Sequence, residues 1–294
     1  MSAGRARRRR PRRPSSERSG GRAILWVLLL LAIVVAAGWG LASGAFDEGD
    51  EPDAAVTAAE APPVPLTFPE GLRREEMAER LAAETDLSAE RYLAATDPGP
   101  VGRRLAGASR PTSLEGFLFP ATYQIGERTT VDDLIEAQLS AYGDRVAGID
   151  MAYAKSRNLT EFDVLIIASM IEREVAVDDE RRKVAGVIYN RLKQGIPLGI
   201  DATVLYALGD WEATLTASAL EVDSPYNTRR YGGLPPGPIA SPGEASLKAA
   251  ANPARNDLLF YVARNDGSGR HYFSTNAEQF ERDVQRSRAN AEAQ

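Results

Sequence analysis

The longest apolar run of the chain lies close to its N-terminus. Residues 23–46 read AILWVLLLLAIVVAAGWGLASGAF and contain no charged side chain. This run can cross the hydrocarbon core of a bilayer, about 30 Å, as a helix, whereas the apolar region of a cleaved signal peptide is usually about 7–15 residues. The pattern predicts a transmembrane helix. The small residues at 42–45 leave signal-peptide cleavage open as the alternative.

Apolar periodicity predicts a folded region from Val64 onward. The region opens with a short strand-like alternation. Helical spacing then recurs in several segments, near residues 72–81, 131–142, 160–175, 179–192 and 202–208. The segment 160–175, TEFDVLIIASMIEREV, is apolar over most of its circumference, so its helix is predicted to be buried on nearly all sides.

Residues 224–242 favour neither a helix nor a central strand. They read SPYNTRRYGGLPPGPIASP, and this density of Gly and Pro predicts a long ordered loop. Loops of this length in compact domains tend to be functional. Ser241, Pro242 and Glu244 then form a capping-box pattern, which predicts a helix with Ser241 as its N-cap.

Two short runs near the C-terminus have the composition of strands. Residues 258–264 and 271–275 are joined by a glycine-containing turn and predict a hairpin, and a helix is predicted to follow at 277–288. The chain is therefore predicted to be α+β. It would consist of one transmembrane helix, a small α/β membrane-proximal subdomain and a mixed α+β domain.

Charge is distributed unevenly about the apolar run. Nine arginines and one acid precede residue 23, and five acids lie within residues 47–53, in a chain of net charge -6. By the positive-inside rule, residues 1–22 are a basic cytoplasmic tail and the chain after residue 46 lies outside the plasma membrane. Residues 47–63 predict a flexible acidic linker. The acidic exported part argues against nucleic acid as a partner, since nucleic-acid binding depends on Lys and Arg.

The composition restricts the chemistry. The chain has no cysteine and one histidine, His271, which excludes cysteine nucleophiles and leaves no Cys and His cluster for zinc. A Ser-His-Asp triad would need His271 within a hairpin strand, where a structural histidine is the simpler interpretation. Carboxylates remain as candidate catalytic groups, and no metal or organic cofactor is implied.

Glu172 is the carboxylate with the most unusual predicted environment. It shares a helix face with Ala168 and Leu165. Burial of that face would disfavour a charged carboxylate and keep a proton available near neutral pH, as a general acid requires. The alternative is an ion pair with an arginine, Arg191 or Arg229, that only locks the helix against the loop. Helical position alone leaves both open.

Several segments resemble the MltG-like (YceG-like) family of endolytic murein transglycosylases. They are LEGFLFPATY, ASMIEREV, ERRKVAGVIYNRL, IDATVLYALG, SPYNTRRYGGLPPGPIASPGEASLKAAANP, LLFYVA and HYFST. The resemblance implies a catalytic domain at 111–290, a shortened membrane-proximal subdomain at 64–110, and Glu172 as the catalytic residue. It also implies that a further set of residues lines the substrate cleft: Glu115, Asn190, Arg191, Asp201, Tyr226, Asn227 and Thr228.

The resemblance further implies cleavage of the bond between N-acetylmuramic acid and N-acetylglucosamine. One carboxyl can act as acid and then as base, because the attacking 6-hydroxyl belongs to the substrate, and the product is a 1,6-anhydro end. The implied partners are glycan strands, the plasma membrane and peptidoglycan polymerases. Two alternatives stay open: a muramidase whose second carboxylate is Asp201, Glu174 or Asp223, and a non-catalytic cell-wall-binding scaffold.

Overall fold

The computed structural model describes residues 61–97 and 113–293. The predicted basic tail, transmembrane helix and nearly all of the linker lie outside these ranges. Within them, no helix is both long and apolar enough to cross a membrane. The part of the chain that is described mixes helices with short antiparallel strands, which agrees with the predicted α+β class.

Most of the described helices lie between the second and third strands. The strands are β1 (Val64–Thr67), β2 (Thr122–Ile125), β3 (Phe260–Ala263) and β4 (His271–Ser274). The helices are α1 (Arg74–Glu84), α2 (Ala89–Thr96), α3 (Val131–Ala147), α4 (Ala152–Ser156), α5 (Glu161–Glu174), α6 (Asp178–Gln194), α7 (Asp201–Leu208), α8 (Ala217–Leu220), α9 (Glu244–Ala251) and α10 (Ala277–Glu292).

Helix α5 is the centre of the main core. Thr160 caps it by accepting the Asp163 N–H at 3.1 Å, and the Asp163 carboxylate accepts the Thr160 N–H at 2.7 Å, so both free donors are satisfied. The eight consecutive residues 164–171 are all buried. The prediction of a helix buried on nearly all sides is confirmed. Helices α6 and α9 pack against it.

A second core joins the predicted membrane-proximal subdomain to the segment that follows it. Strand β1 pairs antiparallel with β2, with Leu66 opposite Tyr123. The cluster combines side chains from before and after residue 110: Leu66, Phe68, Met77, Leu81 and Tyr92 with Leu114, Leu118, Val131, Leu134 and Ile135. This shared core fixes the position of the loop between β1 and α1, which reaches the candidate site.

The predicted start of α9 is wrong by two residues. Its N-cap is Gly243, and the first helical residue is Glu244. The Ser241 N–H donates to the Leu72 carbonyl at 2.9 Å, and the Ser241 carbonyl accepts the Gly71 N–H at 2.8 Å. These two tertiary hydrogen bonds hold Ser241 outside the helix, so the local capping signal is overridden and the helix begins later.

The C-terminal hairpin forms as predicted, with shorter strands. Tyr261 pairs with Phe273 in the β3–β4 register. His271, at the start of β4, is buried, and its Nδ1 lies 2.8 Å from a carboxylate oxygen of Glu180 in α6. The histidine therefore ties the hairpin to α6, in agreement with the structural interpretation of this residue.

Gly116 allows the entry segment to approach the long loop. It has a φ of +79°, and an ideal Cβ on it would lie 2.5 Å from the Cβ of Pro238. We expect Gly116→Ala to lower the free energy of unfolding by about 2 kcal/mol, from left-handed backbone strain and overpacking together. Urea unfolding of the full-length chain measures this effect.

Gly143→Ala is the matched control, because Gly143 lies in α3 with nothing within 4 Å of an ideal Cβ. Helix propensity predicts that this control raises stability by up to about 1 kcal/mol. Equal effects of the two substitutions would contradict the close approach at Gly116.

Candidate active site

Glu172 lies in the last turn of α5 with its carboxylate held from two sides. The side chain is 7% exposed. Its Oε1 accepts a hydrogen bond from Arg181 Nη1 at 3.0 Å, and its Oε2 accepts the Gly243 N–H at 2.9 Å. The first donor comes from α6 and the second from the N-cap of α9, so three core elements fix this one carboxyl.

The arginine partner differs from those considered in the sequence. Glu172 pairs with Arg181, and neither Arg191 nor Arg229 takes that place. The turn between α5 and α6 is short, so the first turn of α6 folds back beside the last turn of α5. Arg181 is itself fixed, since it donates to Ser246 Oγ at 2.6 Å and to Asp178 Oδ1 at 3.1 Å.

A second carboxyl, Glu70, lies beside Glu172 and was missed in the sequence. It precedes Gly71, whose ideal Cβ would lie 3.7 Å from Glu172 Cγ. The Glu70 carboxyl occupies the space that a side chain on residue 243 would fill. Burial, followed by the negative charge of Glu172, raises the pKa of Glu70 above its usual value. The Ser241 hydrogen bonds that displaced the helix start bring this segment to the site.

An aromatic row runs away from the carboxyl pair. Arg173, next to Glu172, stacks its guanidinium 4.0 Å above the centre of the Trp211 ring and donates to the Gly71 carbonyl at 3.1 Å. The ring of Tyr206 lies 6.3 Å from Trp211 and 4.8 Å from Tyr226. Arg73 also lies 5.2 Å from the centre of the Trp211 ring, so guanidinium groups of two arginines pack against this tryptophan.

Two of the predicted cleft residues lie at the end of this row. Tyr226 is half-buried, and burial raises its pKa. The negative charge of the nearby Glu115 raises that pKa further. Glu115 is 3% exposed, and burial raises its pKa to about 8, with a further contribution from the charge of Glu75. Its Oε2 accepts the Arg74 N–H at 3.4 Å, and its Oε1 is buried without a partner among the described residues.

Asn190 and Arg191 lie far from Glu172 along α6. They follow Arg181 by nine and ten residues, which places them about 14 Å further along the helix. The Asn190 amide donates to the Leu258 carbonyl at 2.9 Å, and Arg191 donates to the Leu259 carbonyl at 2.6 Å. Both side chains hold the chain entering β3. Their contact with substrate stays a prediction.

The polar groups of Asn227 and Thr228 are also engaged. Asn227 Nδ2 donates to the carbonyls of Leu220, at the end of α8, and Val222, each at 2.9 Å. Thr228 Oγ1 accepts the Ile200 N–H at 3.0 Å. Asp201 forms an ion pair with Arg229 on the surface. These three residues shape the long loop in this structure, and their predicted role in binding substrate is untested.

The carboxylates proposed for a muramidase are held elsewhere. Glu174 is half-buried and accepts hydrogen bonds from Tyr261 Oη at 3.0 Å and from the Ala202 N–H at 3.4 Å. Burial raises its pKa. Asp223 accepts a hydrogen bond from Tyr231 at 2.5 Å. Glu70 is therefore better placed than either to act with Glu172.

A separate cavity of about 960 Å³ lies at the other end of α6. Tyr153, Tyr189 and Asn190 line it, together with the exposed cations Arg157 and Arg255. It lies about three helical turns from Arg181, so this cavity and the candidate acid do not coincide. The placement of Glu172 between two donors, beside the half-buried aromatic row, therefore defines the candidate site.

Comparison with known proteins identifies the family of the chain. A model of the YceG-like family matches residues 41–286, a range that includes Glu70, Glu172 and the long loop. The chain belongs to the YceG-like family. The resemblance given by the sequence motifs is confirmed.

Named relatives cover most of the chain. An endolytic murein transglycosylase from Streptococcus pneumoniae is 34% identical over 259 residues, which is 80% of this chain and 45% of that protein. One from Bacillus subtilis is 35% identical over 215 residues, 69% of this chain and 59% of that protein. The chain thus spans about half the length of the curated relatives that it matches.

A solved structure supports the fold. The crystal structure of a yceG-like protein from Listeria monocytogenes superposes with a TM-score of 0.66 at 33% identity, covering 75% of this chain and 76% of that one. The mixed α+β architecture of this YceG-like chain is therefore shared with an experimentally determined structure.

Proposed function

We propose that this YceG-like chain is an endolytic lytic transglycosylase of peptidoglycan, with Glu172 as its acid and base. The observation that carries the proposal is the carboxyl of Glu172, 7% exposed and held by Arg181 and the Gly243 N–H beside an aromatic row. Family membership supports the same reaction class, because its relatives are named endolytic murein transglycosylases.

The first step would be proton transfer from Glu172 to the oxygen that bridges N-acetylmuramic acid and N-acetylglucosamine. The bond from that oxygen to C1 then breaks, and Glu172 is left ionised. Arg181 and the Gly243 N–H already point at its two oxygens, so the charge that develops there meets donors that need no rearrangement.

The second step would return the proton to Glu172. The muramoyl 6-hydroxyl attacks C1, its proton passes to the carboxylate, and a 1,6-anhydro end forms. The nucleophile is already attached to the sugar, so its effective concentration is high and no water has to be positioned. One carboxyl, first acid and then base, completes the cycle.

Location and partners follow from the same proposal. The apolar run at 23–46 and the arginines before it favour a chain anchored in the plasma membrane with its catalytic part outside. There it would cut nascent glycan strands and end their elongation. Peptidoglycan polymerases that make these strands are the proposed protein partners.

Product analysis tests the proposal. The full-length chain is incubated with purified glycan strands, and the fragments are separated by length and weighed by mass spectrometry. We expect fragments of intermediate length that end in 1,6-anhydro-muramic acid. Release of disaccharides from one end would contradict endolytic action, and no cleavage at all would favour the cell-wall-binding scaffold.

Hydrolysis is the second candidate, and Glu70 is the observation that favours it. Retaining and inverting glycosidases use two carboxyls separated by about 5–9.5 Å, and Glu70 lies close enough to Glu172 to fall near that range. A muramidase would add water at the cut, so its fragments would end in reducing muramic acid, 18 Da heavier than the anhydro form.

A further inference from the structure

The surroundings of Glu172 present a conflict. A general acid must begin the reaction protonated. Arg181 at 3.0 Å and the Gly243 N–H at 2.9 Å both favour the ionised carboxylate. These contacts suit the second half of the proposed cycle and oppose the first half, which a nearby negative charge would assist.

Glu70 has the right position to supply that effect. Gly243 has φ -77° and ψ 172°, a backbone conformation open to any residue, so glycine is not required there for its conformational freedom. An ideal Cβ at this position would overlap the carboxyl of Glu70, so a side chain there would force that carboxyl to move. The same glycine donates its N–H to Glu172, so the two carboxyls flank one residue.

The separation of the carboxyls can be bounded. The Gly243 N–H···Oε2 distance to Glu172 is 2.9 Å. An ideal Cβ on Gly243 would lie about 2.5 Å from the Gly243 amide nitrogen and would overlap the Glu70 carboxyl. The nearest oxygens of Glu70 and Glu172 are therefore no more than about 7 Å apart. At that range two negative charges interact appreciably, with screening because Glu70 is open to solvent.

Other charged groups of the described residues lie near the pair on α5, α6 and α9. Arg181 and Asp178 face it from α6 and act on Glu70 with opposite signs, and Arg173 lies beside Glu172 on α5, directed to Trp211 and the Gly71 carbonyl. Glu244, the first residue of α9, is engaged on the surface by Arg145 and Lys248. Asp178 pairs directly with Arg181, whereas Glu70 is the negative charge that lies across Gly243 from Glu172.

We propose that Glu70 is a positioning residue of the reaction, whose charge across Gly243 offsets Arg181 and lets Glu172 enter the cycle protonated. The inference rests on the proposed transglycosylase function and adds a group to it. Partial burial and then the charge of Glu172 raise the pKa of Glu70. Because the interaction between two charges is mutual, the charge of Glu70 acts on Glu172 in the same way.

The pH dependence of cleavage tests the proposal. Loss of a nearby negative charge makes the acid give up its proton more readily, so Glu70→Gln should move the alkaline limb of the rate profile to lower pH by about one unit. The variant should be about tenfold slower than the parent on that limb and equal to it on the acidic side. Glu70→Asp, which keeps the charge, should restore most of the profile.

Gly243→Ala provides the same test without removing a charge. Its Cβ would displace the Glu70 carboxyl while leaving the backbone N–H for Glu172, so its profile should shift in the same direction as that of Glu70→Gln. Glu79→Gln, an exposed acid on α1, is the charge-matched control and should overlay the parent. An unshifted profile for Glu70→Gln, or a loss equal at every pH, would overturn the proposal.

A measurement without substrate separates this inference from the proposed function. The full-length chain is labelled with 13C at glutamate carboxyls, and the Glu70 resonance is identified by its absence in Glu70→Gln. We expect a midpoint above that of an ordinary glutamate, which falls in Glu172→Gln. A Glu70 midpoint unchanged by Glu172→Gln would refute the coupling, even if the parent chain cleaves glycan. A lower midpoint in Glu172→Gln would support the coupling, even if the parent chain does not cleave glycan.

Discussion

Glu172→Gln is expected to slow glycan cleavage by about 10³-fold or more, because both proton transfers depend on this carboxyl. The amide can still accept the Gly243 N–H, so the fold should be retained. Initial rates on purified glycan strands measure the loss. Circular dichroism and thermal unfolding of the same samples show that the protein is folded.

The matched control for this experiment is Glu161→Gln. Glu161 is the first residue of the same helix, three turns away from Glu172, and its removal takes away the same charge. It should leave the cleavage rate within about twofold of the parent, because it lies about three helical turns from the candidate site. If Glu172→Gln kept a tenth of the parent rate, the acid and base role would be refuted.

Glu115→Gln is expected to stabilise the protein as the pH rises. Burial raises the pKa of Glu115 from 4.5 to about 8, so the folded state binds this proton more tightly than the unfolded chain. The stability that this proton contributes is fully present below about pH 4.5 and is lost as the pH rises to 8. Between pH 5 and pH 8 the variant should gain about 3 kcal/mol relative to the parent.

Urea unfolding of the two proteins at pH 5, 6, 7 and 8 measures this gain. Other carboxyls titrate in both proteins and cancel in the difference. Glu79→Gln, exposed on α1, should show a difference that does not change with pH. A flat difference for Glu115→Gln as well would mean that Glu115 is ionised in the folded state without cost, and its buried position would have to be revised.

Sequence reasoning succeeded where local signals and tertiary packing agree. The cap formed by Thr160 and Asp163 and the apolar run after it both indicate α5, and the structure places that helix in the core. The signal at Ser241 was equally clear but failed, since hydrogen bonds to residues 71–72 fix that position first. Strand β2 was not predicted, because four residues carry little periodicity without their partner β1.

The site was predictable only in part for the same reason. Glu172 was identified by helical position and by resemblance, both of which are properties of one segment. Arg181 and Glu70 depend on the turn between α5 and α6 and on contacts across more than one hundred residues. No local sequence pattern distinguishes Glu70 from other acids. Its proximity to Glu172 follows from the contacts of both side chains with Gly243.

Cleavage in water enriched in 18O is the most direct test of the central claim that Glu172 drives intramolecular transglycosylation. The full-length chain is allowed to cut purified glycan strands in H₂18O, and the new muramoyl ends are weighed. The account predicts 1,6-anhydro ends that contain no 18O, because the muramoyl 6-oxygen closes onto C1. Reducing ends that carry one 18O atom would show that water is the nucleophile and would contradict it.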